Sequence, residues 1–212
     1  MAQKQAFTVQ AIQQVYSKKG YTWRTHYSDY PMTINLGGIR SPQRVANKFD
    51  DFIFMSVVTT PEDQTISQPQ ESLYLWPATT DPGLFWLGNP PSPHGTAILV
   101  PDQYTDVYSI DKHRGKYDAL CQRLGPVYVY RDSNKDHLLD FDPQTVMKGY
   151  FGINIHRSHP LVPPDVVSKY SAGCQVFVDP NDYSMFMSFC YRSAEIYGNT
   201  FTYTLLESKD FS

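Results

Sequence analysis

With 212 residues, the chain is long enough for one domain with its own core and needs no disulfide or metal to fold. Aromatic residues make up 15% and charged residues 18%, a balance opposite to that of disordered chains, and a net charge of −3 leaves no basic footprint for nucleic acid. No apolar run approaches the ~20 residues of a spanning helix, since the longest, Phe52–Val58, is broken by Ser56.

The N-terminus, MAQKQAFTVQ, lacks the apolar core of a secretory signal, so synthesis in the cytoplasm without a signal peptide is expected. In residues 8–19, Val9, Ile12, Val15 and Tyr16 share one helical face, and Gly20 follows as a stop. From Tyr21 to about Tyr130, short β-branched and aromatic runs alternate with Pro, Gly, Asn and Asp clusters. The runs are MTINLGGIR, DDFIFMSVVTT, ESLYLWPATT, LFWLG, GTAILVP, DVYSID and PVYVYRD, with 61–70 a surface loop between the second and third. Such a series predicts a β-sandwich or barrel. Residues 111–123 read as a short helix, and 182–197 as a longer one, with Tyr183, Phe186, Met187, Cys190, Tyr191 and Ala194 in an apolar stripe. Asp179 or Asn181 is its expected cap and Gly198 its stop, and FTYTLLE alternates like a closing strand. The expected architecture is mainly β with a few flanking helices, one domain over 1–212 with 1–20 as a helical N-terminal extension. The sequence leaves the oligomeric state open.

Chemistry concentrates in GYFGINIHRSHPLVPPDVVSKYSAGCQVFV, residues 149–178. A β-type run, FGINI, delivers His156. Eighteen positions later the small-residue turn Ser171-Ala172-Gly173 delivers Cys174, and a second run, QVFV, follows. Two strands ending in a His and a Cys can bring an imidazole to a thiol, which alone is only slightly ionised at neutral pH. Small residues before the thiol leave backbone N–H groups free for a developing oxyanion. Cys121, Cys174 and Cys190 are odd in number and form no C-x-x-C pair, so at least one thiol is expected to be free. Cys121 and Cys190 read as core residues on helices.

This segment resembles the catalytic domain of the L,D-transpeptidases, cysteine enzymes of peptidoglycan. Ile155-His156 is similar to that family's Ile-x-His strand end, Ser171-Ala172-Gly173-Cys174 to its Ser/Thr-His-Gly-Cys motif, and Pro93-His94-Gly95-Thr96-Ala97 to its Thr-Pro-x-Gly-Thr element. The region from about Thr79 to Leu206 also looks like a phage- and Bacteroidetes-type group with the same FGINIHR…SAGCQVF core. The resemblance implies an L,D-transpeptidase-like β fold, with Cys174 as nucleophile, His156 as general base and the carbonyl of Arg157 orienting the imidazole. Gly173 and Cys174 would offer the oxyanion N–H donors. Ala172 stands where the family has a second His, and Gln175-Val176 where it has an Arg. The implied activity is hydrolysis of peptidoglycan stem peptides through an acyl-enzyme, after release to the cell wall, carriage in a virion or delivery as an effector. The alternatives are L,D-transpeptidation and a non-catalytic virion protein that keeps the fold. No cofactor is required by this chemistry.

Ser171 and His94 are candidates for lining the substrate cleft. His113 and Arg114 are candidates for gripping a peptide carboxylate, Arg through its bidentate fork. His156, His159 and Cys174 include three zinc-type ligands, but Pro160 and extended-chain geometry disfavour their convergence. Asp132, Asn134 and Asp136, at alternate positions, are candidate ligands for a structural calcium ion, although Gly is missing from the sixth position. The plainer reading of that segment is a loop of Asx turns.

Overall fold

The computed structural model describes residues 7–25, 31–43, 45–59 and 70–212. The expected surface loop 61–70 lies outside the described residues except for Gln70. Helix α1, Val9–Lys19, starts where the Thr8 hydroxyl accepts the Ala11 N–H and stops at Gly20, whose φ of 71° is the left-handed conformation of a C-terminal cap. It is no free extension. Ile12, Val15 and Tyr16 are buried against Ile39, Phe54 and Leu206.

Eight strands close a barrel in the order β1-β11-β5-β6-β9-β10-β3-β2. These are β1 Ile34–Arg40, β2 Asp51–Thr59, β3 Gln70–Thr79, β5 Gln103–His113, β6 Tyr117–Gln122, β9 Ile155–Arg157, β10 Gln175–Phe177 and β11 Phe201–Glu207. A second sheet, ordered β4-β7-β8, comprises Thr96–Leu99, Val127–Asp132 and Met147–Gly149. Of the two β architectures the sequence allows, the molecule is thus a barrel with a satellite sheet. Its core is aliphatic and aromatic: Leu36, Ile53, Met55, Trp76, Tyr203 and Leu205 pack with Leu99 and Val129 of the small sheet and with α3, Pro180–Tyr197. Asp179 caps α3 through the Asn181 N–H, and Tyr183, Phe186, Met187 and Cys190 are buried. Tyr191 falls outside this stripe; it is 41% exposed and its hydroxyl donates to Asp118.

Two local expectations are corrected. Residues 111–123 form the β5–β6 hairpin, which places Cys121 on a strand, and LFWLG forms the short helix α2, Leu84–Gly88. The hairpin wins because Arg114 and Gly115 both take positive φ, 50° and 71°, and make a tight primed turn closed by Lys116 N–H to His113 O.

A buried charge cluster joins β1, β2 and β3. Arg40, 1% exposed, pairs with Asp81 at 2.9 Å and donates to the hydroxyl and carbonyl of Thr80. Asp51, equally buried, accepts the Thr80 N–H, the Thr80 hydroxyl and the Ser41 N–H. Burial, and secondarily the Asp81 carboxylate, push Asp51 above the usual carboxylate range. Arg40→Met strands two carboxylates without their cation. It is expected to cost about 3–5 kcal/mol at pH 7, read as a fall in the urea midpoint, with a smaller loss at pH 5, where the carboxylates can take protons.

Candidate active site

The β9–β10 pair is parallel, with Gln175 opposite Ile155 and Val176 opposite His156. Extended one step back, the register sets Cys174 level with Asn154, so Cys174 and His156 are diagonal neighbours on one face. The Gln175 N–H to Asn154 O bond, 2.9 Å, continues the ladder to that point.

The run FGINI pairs less than its composition predicts. Only Ile155 onward is strand, because the buried Gln122 side chain captures the preceding backbone. Its Oε1 accepts the N–H groups of Phe151 and Ile153, both at 3.1 Å, while its Nε2 donates to Gly125 O and Gly149 O. Gly152, at φ 68°, turns its carbonyl to the thiol, which donates to it at 3.4 Å. The Asn154 N–H in turn donates to Cys174 Sγ at 3.4 Å.

The turn before Cys174 is fixed by Ser171. This side chain is fully buried; Oγ donates to Cys174 O at 2.8 Å and accepts the Gly173 N–H at 3.1 Å, while Ser171 O accepts the Gly83 N–H. Ser171 is therefore a brace of the turn and no wall of a cleft, a correction to its expected role. The Gly173 N–H, expected as an oxyanion donor, is likewise engaged. The Cys174 N–H has no acceptor among the described residues. Gly173 sits at φ 119°, and a Cβ there would collide with the carbonyl oxygen of Ala97 on β4. The Pro93–Ala97 element thus meets the thiol turn through its backbone. His94 is exposed, its N–H bonded to Ser92 Oγ, and no hydrogen bond or ring contact joins it to Cys174 or His156.

His156 is 4% exposed, and its Nδ1 lies 2.7 Å from Arg157 O. A carbonyl can only accept, so the proton sits on Nδ1 and the Nε2 lone pair is free. Tyr117 Oη lies 3.3 Å from both His156 Nδ1 and Arg157 O, and the Arg157 guanidinium covers the Tyr117 ring at 4.3 Å. His113, expected to grip a carboxylate, is instead buried and stacked on His156, with ring centroids 4.1 Å apart and planes 28° apart. Arg114, exposed at the hairpin tip, lends its positive field to Cys174, His113 and His156.

The electrostatics favour neutral groups. Burial raises the Cys174 thiol above its ordinary value, against smaller opposing effects of the Asn154 N–H and Arg114. Burial, then His113, lowers His156 to about 3, and burial, then Arg114, lowers His113 to about 4. At rest the thiol and the imidazole are both neutral, with no preformed thiolate.

His159 stays outside the group, its Nδ1 accepting the N–H of Leu161 and of Val162. In the acidic loop, Asn134 Nδ2 donates to Asp136 and Asp140, and Asn134 Oδ1 and Asp136 Oδ1 accept the N–H groups of Asp136 and Leu138. Asp132 is buried and raised to about 6, chiefly by that burial. The loop is built from Asx turns, and no group of three or more His, Cys, Asp or Glu side chains suited to a metal forms among the described residues. A cavity of about 340 Å³ between β1, β5, β11 and α3 has no lining residue in common with the Cys174 group.

Sequence reasoning passed over Gln122, Asn154 and Tyr117. The visible signal was Asn154, one amide inside an otherwise apolar run. Among the described residues no helix is long and apolar enough to cross a membrane, and all three cysteines are free. No family model, no curated protein and no solved structure matches the chain.

Two outcomes are expected. Gly173→Ala should destabilise the fold by more than about 2 kcal/mol, because strain at positive φ adds to a backbone collision, measured by chemical denaturation. Both histidines bind protons in the unfolded chain below pH 6.5 but in the folded chain only near 4 and 3. Their stabilisation is present above pH 6.5 and is lost as pH falls toward those values, at about 1.4 kcal/mol per pH unit for each group. Stability measured from pH 7 to 4 should fall accordingly, and less steeply in His113→Phe.

Proposed function

We propose that the protein is a cysteine-dependent acyl-transfer enzyme that hydrolyses peptidoglycan stem peptides, with Cys174 as nucleophile and His156 as base. The observation that carries the reading is the β9–β10 register, with Cys174 and His156 diagonal on one face and the His156 proton held by Arg157 O. In the reaction, His156 Nε2 takes the thiol proton as Sγ attacks the amide carbonyl. The Cys174 N–H, without an acceptor among the described residues, would donate to the developing oxyanion. The C–N bond then breaks, the leaving amine receives the proton from His156, and a thioester remains on Cys174. Water activated by the same imidazole releases the acid; an amine acceptor would give the transpeptidase product instead. Because the resting thiol is protonated, proton transfer accompanies attack rather than preceding it.

The substrate class comes from the resemblance to the L,D-transpeptidases, whose fold is likewise part of the proposal. Arg114, exposed beside the thiol and histidines, is the cation available to a substrate carboxylate.

A second reading, a non-catalytic protein that keeps the fold, has one observation on its side. The thiol is satisfied by backbone at both Gly152 O and the Asn154 N–H, as in a structural cysteine. Mass spectrometry of purified muropeptides separates the two. The wild type is expected to release stem-peptide fragments, with Cys174→Ala inactive and Cys174→Ser and His156→Ala each at least 100-fold slower. Unchanged muropeptides with folded wild type would favour the second reading.

A further inference from the structure

The two stacked histidines are wired oppositely, and the wiring begins at a backbone amide. The Gln122 N–H donates to Asn154 Oδ1 at 3.0 Å. A main-chain N–H can only donate, so the Asn154 amide has one orientation, with Nδ2 facing His113 Nδ1 at 3.0 Å. The Nδ2 group is also only a donor. His113 Nδ1 must therefore carry a lone pair, and a neutral His113 keeps its proton on Nε2. His156 has the reverse arrangement, its proton on Nδ1 against Arg157 O.

Protonating His113 would set N–H against N–H inside a buried site. It would also place a cation 4.1 Å from the His156 ring centroid. The charged and titratable groups facing the two rings make this worse. They are Arg114 on the turn, Arg123 after β6, Tyr117 on β6 and Arg157 on β9. Three are cations, and Tyr117 is neutral at physiological pH. The Asn154 backbone, in turn, donates its N–H to the thiol of Cys174 before β10.

We infer that His113 is a positioning residue, an imidazole locked in the uncharged Nε2–H form whose stacked ring fixes the plane of the His156 ring, while Arg157 O sets the opposite His156 tautomer, ready to take the Cys174 proton. The inference rests on reading Cys174 and His156 as the working pair, and it assigns Asn154 as the relay between thiol and stack. The site then holds one mobile proton shared between sulfur and His156, and His113 takes no part in its transfer.

Nitrogen NMR of the full chain with ¹⁵N-histidine tests the wiring without a substrate. Of the six histidine rings, His113 should be a neutral Nε2–H ring and His156 a neutral Nδ1–H ring between pH 5 and 8, each assigned by its loss in His113→Phe or His156→Phe and neither titrating. Asn154→Asp keeps an acceptor for the Gln122 N–H and presents a second acceptor to His113 Nδ1. In that variant His113 should carry a proton on Nδ1, and peptidoglycan turnover should fall at least tenfold with KM within twofold. His113 titrating above pH 6 in the wild type, His113 and His156 in the same tautomer, or an unaltered His113 in folded Asn154→Asp would each overturn the proposal. If the wild type cleaves no muropeptide, the tautomers still decide the wiring, and only the reading of Cys174 as nucleophile falls.

Discussion

Two strands of three residues each, β9 and β10, carry the register on which the whole site depends. A one-residue slip would turn Cys174 and His156 to opposite faces, and three residues supply few ladder bonds to resist it. The register is held from outside. Gln122 and Asn154 supply side-chain amides where a longer strand would supply main chain. The Ala97 carbonyl presses on Gly173, and Ser171 folds the turn upon itself. The connection from 158 to 174, which parallel pairing requires to be long, is pinned by the Trp86 indole on Lys169 O and by the Val167 N–H on Asn47 O.

Behind this surface lies the charge cluster of Arg40, Asp51 and Asp81. It reaches the site through Gln175, whose Nε2 donates to Thr80 O and whose Oε1 accepts the Tyr203 hydroxyl. One residue after Cys174, the chain is therefore tied to β11 and to the end of β3. Such buried polar networks specify geometry more than they add stability, since every member needs its partner.

The class of fold was legible because alternation, turn residues and helix stops act locally. Thr8, Gly20 and Asp179 end helices through their own side chains or their lack of one. The apolar stripe of α3 was readable except at Tyr191, where the phenol reaches Asp118 at the surface. What failed depended on partners distant in sequence. Residues 111–123 carried a helix-like composition, but two positive-φ residues at the tip made a hairpin. That Cys174 and His156 fall on one face of neighbouring strands was legible from two strand-like runs with small residues between. The surroundings of Ser171, Gly173 and His113 were not legible, because a serine's or histidine's partners are set by which donor lies 3 Å away. Asn154 and Gln122 act between neighbouring strands that lie about thirty residues apart in sequence, and neither spacing nor composition announces that.

The protonated state of Cys174 bears on a different hazard. Peroxide attacks the thiolate and leaves the thiol almost untouched, and the sulfinic and sulfonic products beyond sulfenic acid are not recovered by ordinary reductants. In the proposed mechanism the sulfur ionises only when a carbonyl target arrives, so it would spend little time in the vulnerable form. Half-buried and bonded to Gly152 O, this sulfur meets peroxide as a thiol, the form that oxidises slowly, where an always-ionised cysteine would be lost.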